Sequence, residues 1–164
     1  MKRVFWIFRA ITYRVLFPKI RFFYFGSPIL VTGVRRWCVE KNVGIFPMAR
    51  IEIGKGGLLK IGKNTRIGHM VFIEGNNSII IGENCVLSSN VYISTTDYNW
   101  KHTGTVGFKA SESPSKSVVI GDNVFIGINS VILPGVTIES NSVIGANSVV
   151  TRNVKGGSIV YGKY

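Results

Sequence analysis

Residues 120–155 read IGDNVF, IGINSV, ILPGVT, IESNSV, IGANSV, VTRNVK: six units of six residues with nothing left over. An aliphatic side chain opens every unit (Ile120, Ile126, Ile132, Ile138, Ile144, Val150). A small or β-branched residue stands four places later (Val124, Ser130, Val136, Ser142, Ser148, Val154). A helix repeats near 3.6 residues and a half-buried strand about every 2, so a period of six belongs to neither. It predicts a solenoid of very short strands joined by corners. The leading aliphatics point into one continuous interior, and Gly or Asn takes the turns.

The pattern extends upstream. Ile61, Ile67 and Ile73 are spaced by six, as are Ile81, Leu87 and Ile93, and Ile45 and Ile51 open the series. Gly62, Gly68 and Gly82 follow their leaders as Gly121, Gly127 and Gly145 do later. Gly56-Gly57 and Gly75-Asn76-Asn77 are turn-type insertions, and residues 94–119 are a long excursion. Cys85 holds the fifth place of its hexad and reads as a small core residue, while Cys38 lies outside the repeat. Two such cysteines make no disulfide framework, and a reducing compartment is their simplest home.

The hexads Ile-Gly-Asp-Asn-Val-Phe-Ile-Gly and Val-Ile-Gly-Ala-Asn-Ser-Val-Val-Thr, with a long loop after one unit, resemble the left-handed β-helix acyltransferases. Within that superfamily the sequence is most similar to the sugar and polysaccharide O-acetyltransferases, over roughly residues 45–160. The resemblance implies an all-β, left-handed parallel β-helix with three hexads per triangular coil. Ile120 and Ile138 would then share a face, as would Ile61 and Ile81. Relatives continue Gly-Asn-Pro-Ala-Lys where this sequence ends at Tyr164, so their terminal helix is expected to be missing.

Charge is lopsided. Residues 1–39 hold eight of the 20 Lys and Arg and none of the eight acids, so two thirds of the net +12 lies in the first quarter. Such a concentration points to an anionic partner for the N-terminus: membrane lipid, acidic glycan or nucleic acid. Residues 1–25 read as an amphipathic helical segment, with Val4, Ile7, Phe8, Ile11 and Val15 on one face. Arg9 and Arg14 cut the apolar stretch far below the roughly 20 residues of a spanning helix. Its apolar core is also short for a signal peptide. The segment either lies in a membrane surface or caps the open end of the solenoid. Residues 26–44 read as a connector, and 45–164 as the β-helix with its projecting loop 94–119.

Acetyl transfer to a hydroxyl needs a base for the alcohol's proton, and a neutral imidazole is the usual choice. The resemblance places the catalytic His in the excursion, at the column of Tyr98 or Asn99. Neither is His, and His102 is the nearest in the same loop. His102 is therefore the expected base, with Asp97 orienting its ring and Tyr98 in the family's His column. Asn99, Trp100 and Phe125 are expected at the acceptor sugar. His69, at an outward place of its hexad, reads as a surface residue.

The resemblance also implies an acetyl-CoA groove between adjacent subunits of a homotrimer. Small residues at Gly127, Ser130, Gly145, Ala146 and Ser148 would let the pantetheine arm approach the backbone. Arg152, Lys155 and Lys163 would meet the phosphates.

The leading expectation is an acyl-CoA-dependent O-acetyltransferase acting in surface-polysaccharide or lipid-linked glycan biosynthesis. Such an enzyme would be cytoplasmic or peripheral on the inner membrane, and would use no metal and no nucleic acid. The alternatives are transfer to a free small sugar or amino sugar and a degenerate β-solenoid that binds glycan. Serine acetyltransferases and nucleotide-sugar N-acetyltransferases carry additional N-terminal domains for which this sequence has no room. A γ-type carbonic anhydrase needs three zinc-binding His, which two His per chain do not supply.

Overall fold

The computed structural model describes residues 2–97 and 115–164. The short strands stack in parallel as a solenoid with three faces. Successive hexads occupy successive faces, so partners across a coil are 18 residues apart in the C-terminal repeats. Ile120 lies beside Ile138, Ile126 beside Ile144, and Ile132 beside Val150. The same columns run upstream, with Ile61 on Ile81, Ile67 on Leu87 and Ile73 on Ile93. All six leaders from Ile120 to Val150 are buried, and so are the fifth-place residues Val124 to Val154. The expected phase is therefore the observed one. Cys85 is buried in the same row, its thiol donating to the Gly121 carbonyl at 3.0 Å, and burial pushes that thiol's pKa up.

Two of the corners are turned by columns of Asn with positive φ. Asn64, Asn84, Asn123 and Asn141 form one column, and Asn90, Asn129 and Asn147 another. Asn tolerates the left-handed region better than other side chains with a Cβ. Stacked Asn amides also hydrogen-bond from coil to coil, Asn90 to Asn129 at 2.9 Å and Asn129 to Asn147 at 3.1 Å. Met70 occupies the place below Asn90 in this column at φ 54°, without the amide. Met70→Asn is expected to stabilise the fold by about 1 kcal/mol, by relieving that strain and adding a rung. A thermal melt checks this, and a lowered midpoint would contradict it.

The solenoid begins earlier than the hexads indicate. After α1 (Lys2–Leu16) come β1 (Ile20–Phe25), β2 (Leu30–Thr32) and β3 (Trp37–Ile45). The nine residues of β3 bend around a corner: Trp37–Val39 pair with Leu59–Ile61, and Gly44–Ile45 pair with Arg66–Ile67. β1 lies under β3, and β2 lies under Arg50–Glu52. Residues 26–44 are thus mostly solenoid rather than connector, and the amphipathic segment ends before residue 20. Longer strands with a bulged register carry this first coil, so no six-residue phase marks it.

α1 ends where Pro18 biases Phe17 away from helical backbone. The helix lies across the base of the first coil. Ala10 is buried there, and the Tyr13 ring meets Phe25 edge-on at 5.1 Å. Arg9 donates to the Phe25 carbonyl at 3.3 Å and to Ser27 Oγ at 3.2 Å, clamping the helix to the coil. One face of α1 therefore packs on the core of the first coil.

Candidate active site

The excursion leaves the third face at the end of Tyr92–Ser94 and returns at Ser115. Its two stems are pinned together. Asn77 Nδ2 donates to the Ser115 carbonyl at 2.8 Å, and Ser117 Oγ donates to Asn77 Oδ1 at 2.8 Å. Buried Thr95 accepts from the Asn77 N–H at 3.2 Å, and its carbonyl accepts from the Lys116 N–H at 2.9 Å. A Cβ on Gly75 would stand 2.0 Å from Thr95 Oγ1, so only glycine fits against this stem. A long loop thus starts from a fixed point on a rigid scaffold, the arrangement in which loops carry function.

Beside the stem the third face is polar on the outside. Glu52 and Glu74 are register neighbours, and Ser94 follows Glu74 in the next coil. Glu74 Oε1 accepts from the Tyr92 hydroxyl and, at 3.2 Å, from Ser94 Oγ. Arg50 pairs with Glu52 and lies 4.6 Å over the Phe72 ring, which packs on Tyr92 at 5.2 Å between centroids. Thr32, Glu52, Glu74, Asn76 and Thr96 line a cleft of about 250 Å³ at the departing stem. Carboxylates, hydroxyls and amides around such a cleft, flanked by an aromatic face, suit a polyhydroxylated ligand.

Of the expected catalytic residues only Asp97 is described. It is exposed, two residues beyond buried Thr95 at the departing stem. His102, Tyr98, Asn99 and Trp100 lie outside the described residues. Phe125 is exposed, but it sits on the second face between Val86 and Val143. Within one chain it is therefore not brought to the loop stem. His69 is exposed, its ring 4.9 Å from that of Phe46.

The expected coenzyme residues divide. Gly127, Gly145 and Ala146 share the corner between the second and third faces, where a Cβ on Gly127 would lie 2.5 Å from the Ala146 nitrogen. Ser130 and Ser148 are fully buried, and both donate to the Gly145 carbonyl, at 3.0 and 2.7 Å. No side-chain contact with a coenzyme is open to them, because the fifth place of a hexad points inward. Lys163 bridges to Val149 on the third face, near that corner's column. Arg152 lies over the Tyr164 ring at 4.5 Å on the next corner, and Lys155 follows Val154 on the first face. The three cations do not form one cluster.

Sequence reasoning missed Glu52, Glu74 and Asn77. A signal was present: the leaders Ile51, Ile73 and Ile93 are followed by Glu, Glu and Ser, where many other units have Gly. Among the described residues no group of three or more His, Cys, Asp or Glu stands together as a metal set.

A three-faced parallel solenoid of hexads, with one long excursion at a polar corner, defines the hexapeptide-repeat β-helix class. The family model described as bacterial transferase hexapeptide (six repeats) matches residues 117–152, and that of the hexapeptide repeat of succinyl-transferase matches 58–95. The chain belongs to the left-handed β-helix superfamily of hexapeptide-repeat acyltransferases. Galactoside O-acetyltransferase of Escherichia coli K12 is 36% identical over 116 residues, 71% of this chain and 55% of that protein. A serine acetyltransferase of Staphylococcus epidermidis is 37% identical over 105 residues, 63% of this chain and 46% of that one. The chain spans about half the length of these curated relatives. A hexapeptide-repeat-containing acetyltransferase of Vibrio cholerae O1 biovar eltor, solved in complex with acetyl-CoA, superposes with a TM-score of 0.59 at 28% identity. That match covers 94% of this chain and 71% of the Vibrio chain.

Proposed function

We propose that this chain is an acetyl-CoA-dependent O-acetyltransferase acting on a sugar hydroxyl in surface-polysaccharide or lipid-linked glycan assembly in the cytoplasm. The observation that carries the reading is the cleft of Glu52 and Glu74 beside the pinned stem of the loop that contains His102. The carboxylates hold acceptor hydroxyls, and Phe72 and Tyr92 flank the sugar ring. His102 takes the proton of the attacking hydroxyl, and Asp97 orients the imidazole. The hydroxyl oxygen bonds to the thioester carbonyl carbon, the carbon–sulfur bond breaks, and the proton passes to the departing thiolate. The coenzyme lies along the Gly127, Gly145 and Ala146 corner, with Lys163 near its phosphates.

That corner and Phe125 are separated from the loop stem by the width of the third face. The site is therefore completed by the next copy in a homotrimer, with the loop stem of one protomer facing the second face of its neighbour. Sedimentation is expected to give a trimer, and a stable, active monomer would remove the shared site.

The cleft is tested by Glu74→Ala. Losing a charged acceptor of hydrogen bonds typically costs about 1.5–3 kcal/mol. The acceptor kcat/KM is thus expected to fall roughly 10- to 100-fold, with the acetyl-CoA KM unchanged. An unchanged acceptor KM would move the sugar elsewhere.

A further inference from the structure

Among the described residues no element covers the outer face of α1. Val4, Phe5, Phe8, Ile11, Val15 and Leu16 are each 55–75% exposed, in a helix that spans about 22 Å. A continuous stripe of this size on one side of a short helix is unusual for a solvated surface. The inner face, with Ala10 and Tyr13, is occupied by the first coil, so the stripe points away from the solenoid.

Residues 1–39, which build this end of the solenoid, carry charge of one sign. Arg14, Lys19, Arg21 and Arg35 are exposed, and none is in a described ion pair. Arg9 and Arg36 are committed to backbone carbonyls, Phe25 and Ile53 respectively, which leaves these four as the exposed cations described around the helix. Lys19 and Arg35 rim a cleft of about 340 Å³ at the C-terminal end of the helix, whose walls include Leu16, Phe17 and Val34. A second, apolar cleft of about 220 Å³ opens beside the other half of the helix, between Trp6, Ile7 and Phe23. Among the described residues no helix is long and apolar enough to cross a membrane.

We propose that this end of the solenoid docks on an anionic phospholipid bilayer. α1 lies flat in the headgroup region, its stripe immersed and Lys19 and Arg35 on lipid phosphates. Charge complementarity selects this occupant over a second copy of the chain, whose equivalent end carries the same cations and would repel it. The docking also sets a height. β2, Arg50–Ile53, Phe72–Gly75 and Tyr92–Ser94 stack in order on the third face. Three strand spacings place the loop stem roughly 14 Å above the first coil, the helix lying beneath. A glycan carried on a membrane lipid would meet the cleft at that level. The docking itself stands independently of the transfer reaction.

Deleting residues 1–25 is not a usable test, since Ile20, Phe22 and Phe25 belong to the core. The full chain is instead floated with vesicles of equal parts phosphatidylglycerol and phosphatidylcholine, or of phosphatidylcholine alone. Wild type is expected to float with the anionic vesicles only, and to be released by salt. Phe5→Glu with Phe8→Glu is expected to lower partitioning at least about tenfold while leaving the melting midpoint unchanged, both side chains being exposed. Lys19→Glu with Arg35→Glu is expected to lower it by about fivefold or more per site. Wild type that floats with neither vesicle, or glutamate variants that float as well as wild type, would overturn the proposal. So would a Phe5→Glu, Phe8→Glu protein that sediments as a smaller oligomer than wild type, which would mark the face as a contact between copies.

Discussion

Ile132→Asp is expected to yield no folded protein. Ile132 is fully buried on the third face, between Ile93 below and Val150 above. A carboxylate there has no partner and no water, at a cost of several kcal/mol, against a total stability of about 5–15 kcal/mol for a domain. A solenoid coil has no slack for the side chain to reach solvent, because its neighbours above and below fix the strand spacing. The conservative Ile132→Val, which removes one methylene, is expected to cost only about 1 kcal/mol and to melt cooperatively. Far-ultraviolet circular dichroism and solubility separate the two. A soluble, cooperatively melting Ile132→Asp protein would contradict the packing of the hexads.

The second large effect concerns the reaction. His102→Ala is expected to lower acetyl transfer roughly 10²- to 10⁴-fold, the usual worth of a positioned general base. Acetyl-CoA binding should stay nearly unchanged, since the corner proposed for it is built from the repeats. The wild-type rate is expected to rise with pH through the range in which histidine gives up its proton, because only neutral imidazole accepts one. Asp97→Asn should cost less, since orientation suffers while the base remains. Tyr98→Phe is the control for the column in which relatives carry their His. A fully active His102→Ala beside an inactive Tyr98→Phe would put the phenol at the centre instead.

The contrast between the two ends of the chain shows what the sequence carries openly. From Ile120 onward each unit spends its leader and its fifth residue on the core and an Asn or Gly on the corner, so phase, face and burial are all legible. From Ile20 to Ile45 the same architecture is built from longer strands. The inward residues Ile20, Phe22 and Phe25 of β1 follow a bulged alternation, so the first coil resembles an amphipathic tail and a connector until its pairing is seen.

The site divides in the same way. The excursion announces itself by breaking the hexad phase. The carboxylates of its neighbouring cleft come from coils 22 residues apart, and nothing local in the sequence brings Glu52 to Glu74. Ser130 and Ser148 teach the converse. Small residues look like room for a ligand, but at the fifth place smallness serves the interior, and their hydroxyls are used by Gly145.

The central claim is O-acetyl transfer, and it is tested most directly by incubating the full-length chain with radiolabelled acetyl-CoA and the native glycan pool. Label is expected to appear in the glycan fraction, to be released by mild alkali as an ester is, and to be lost with His102→Ala. Absence of label, or label that resists alkali as an amide does, would contradict the account.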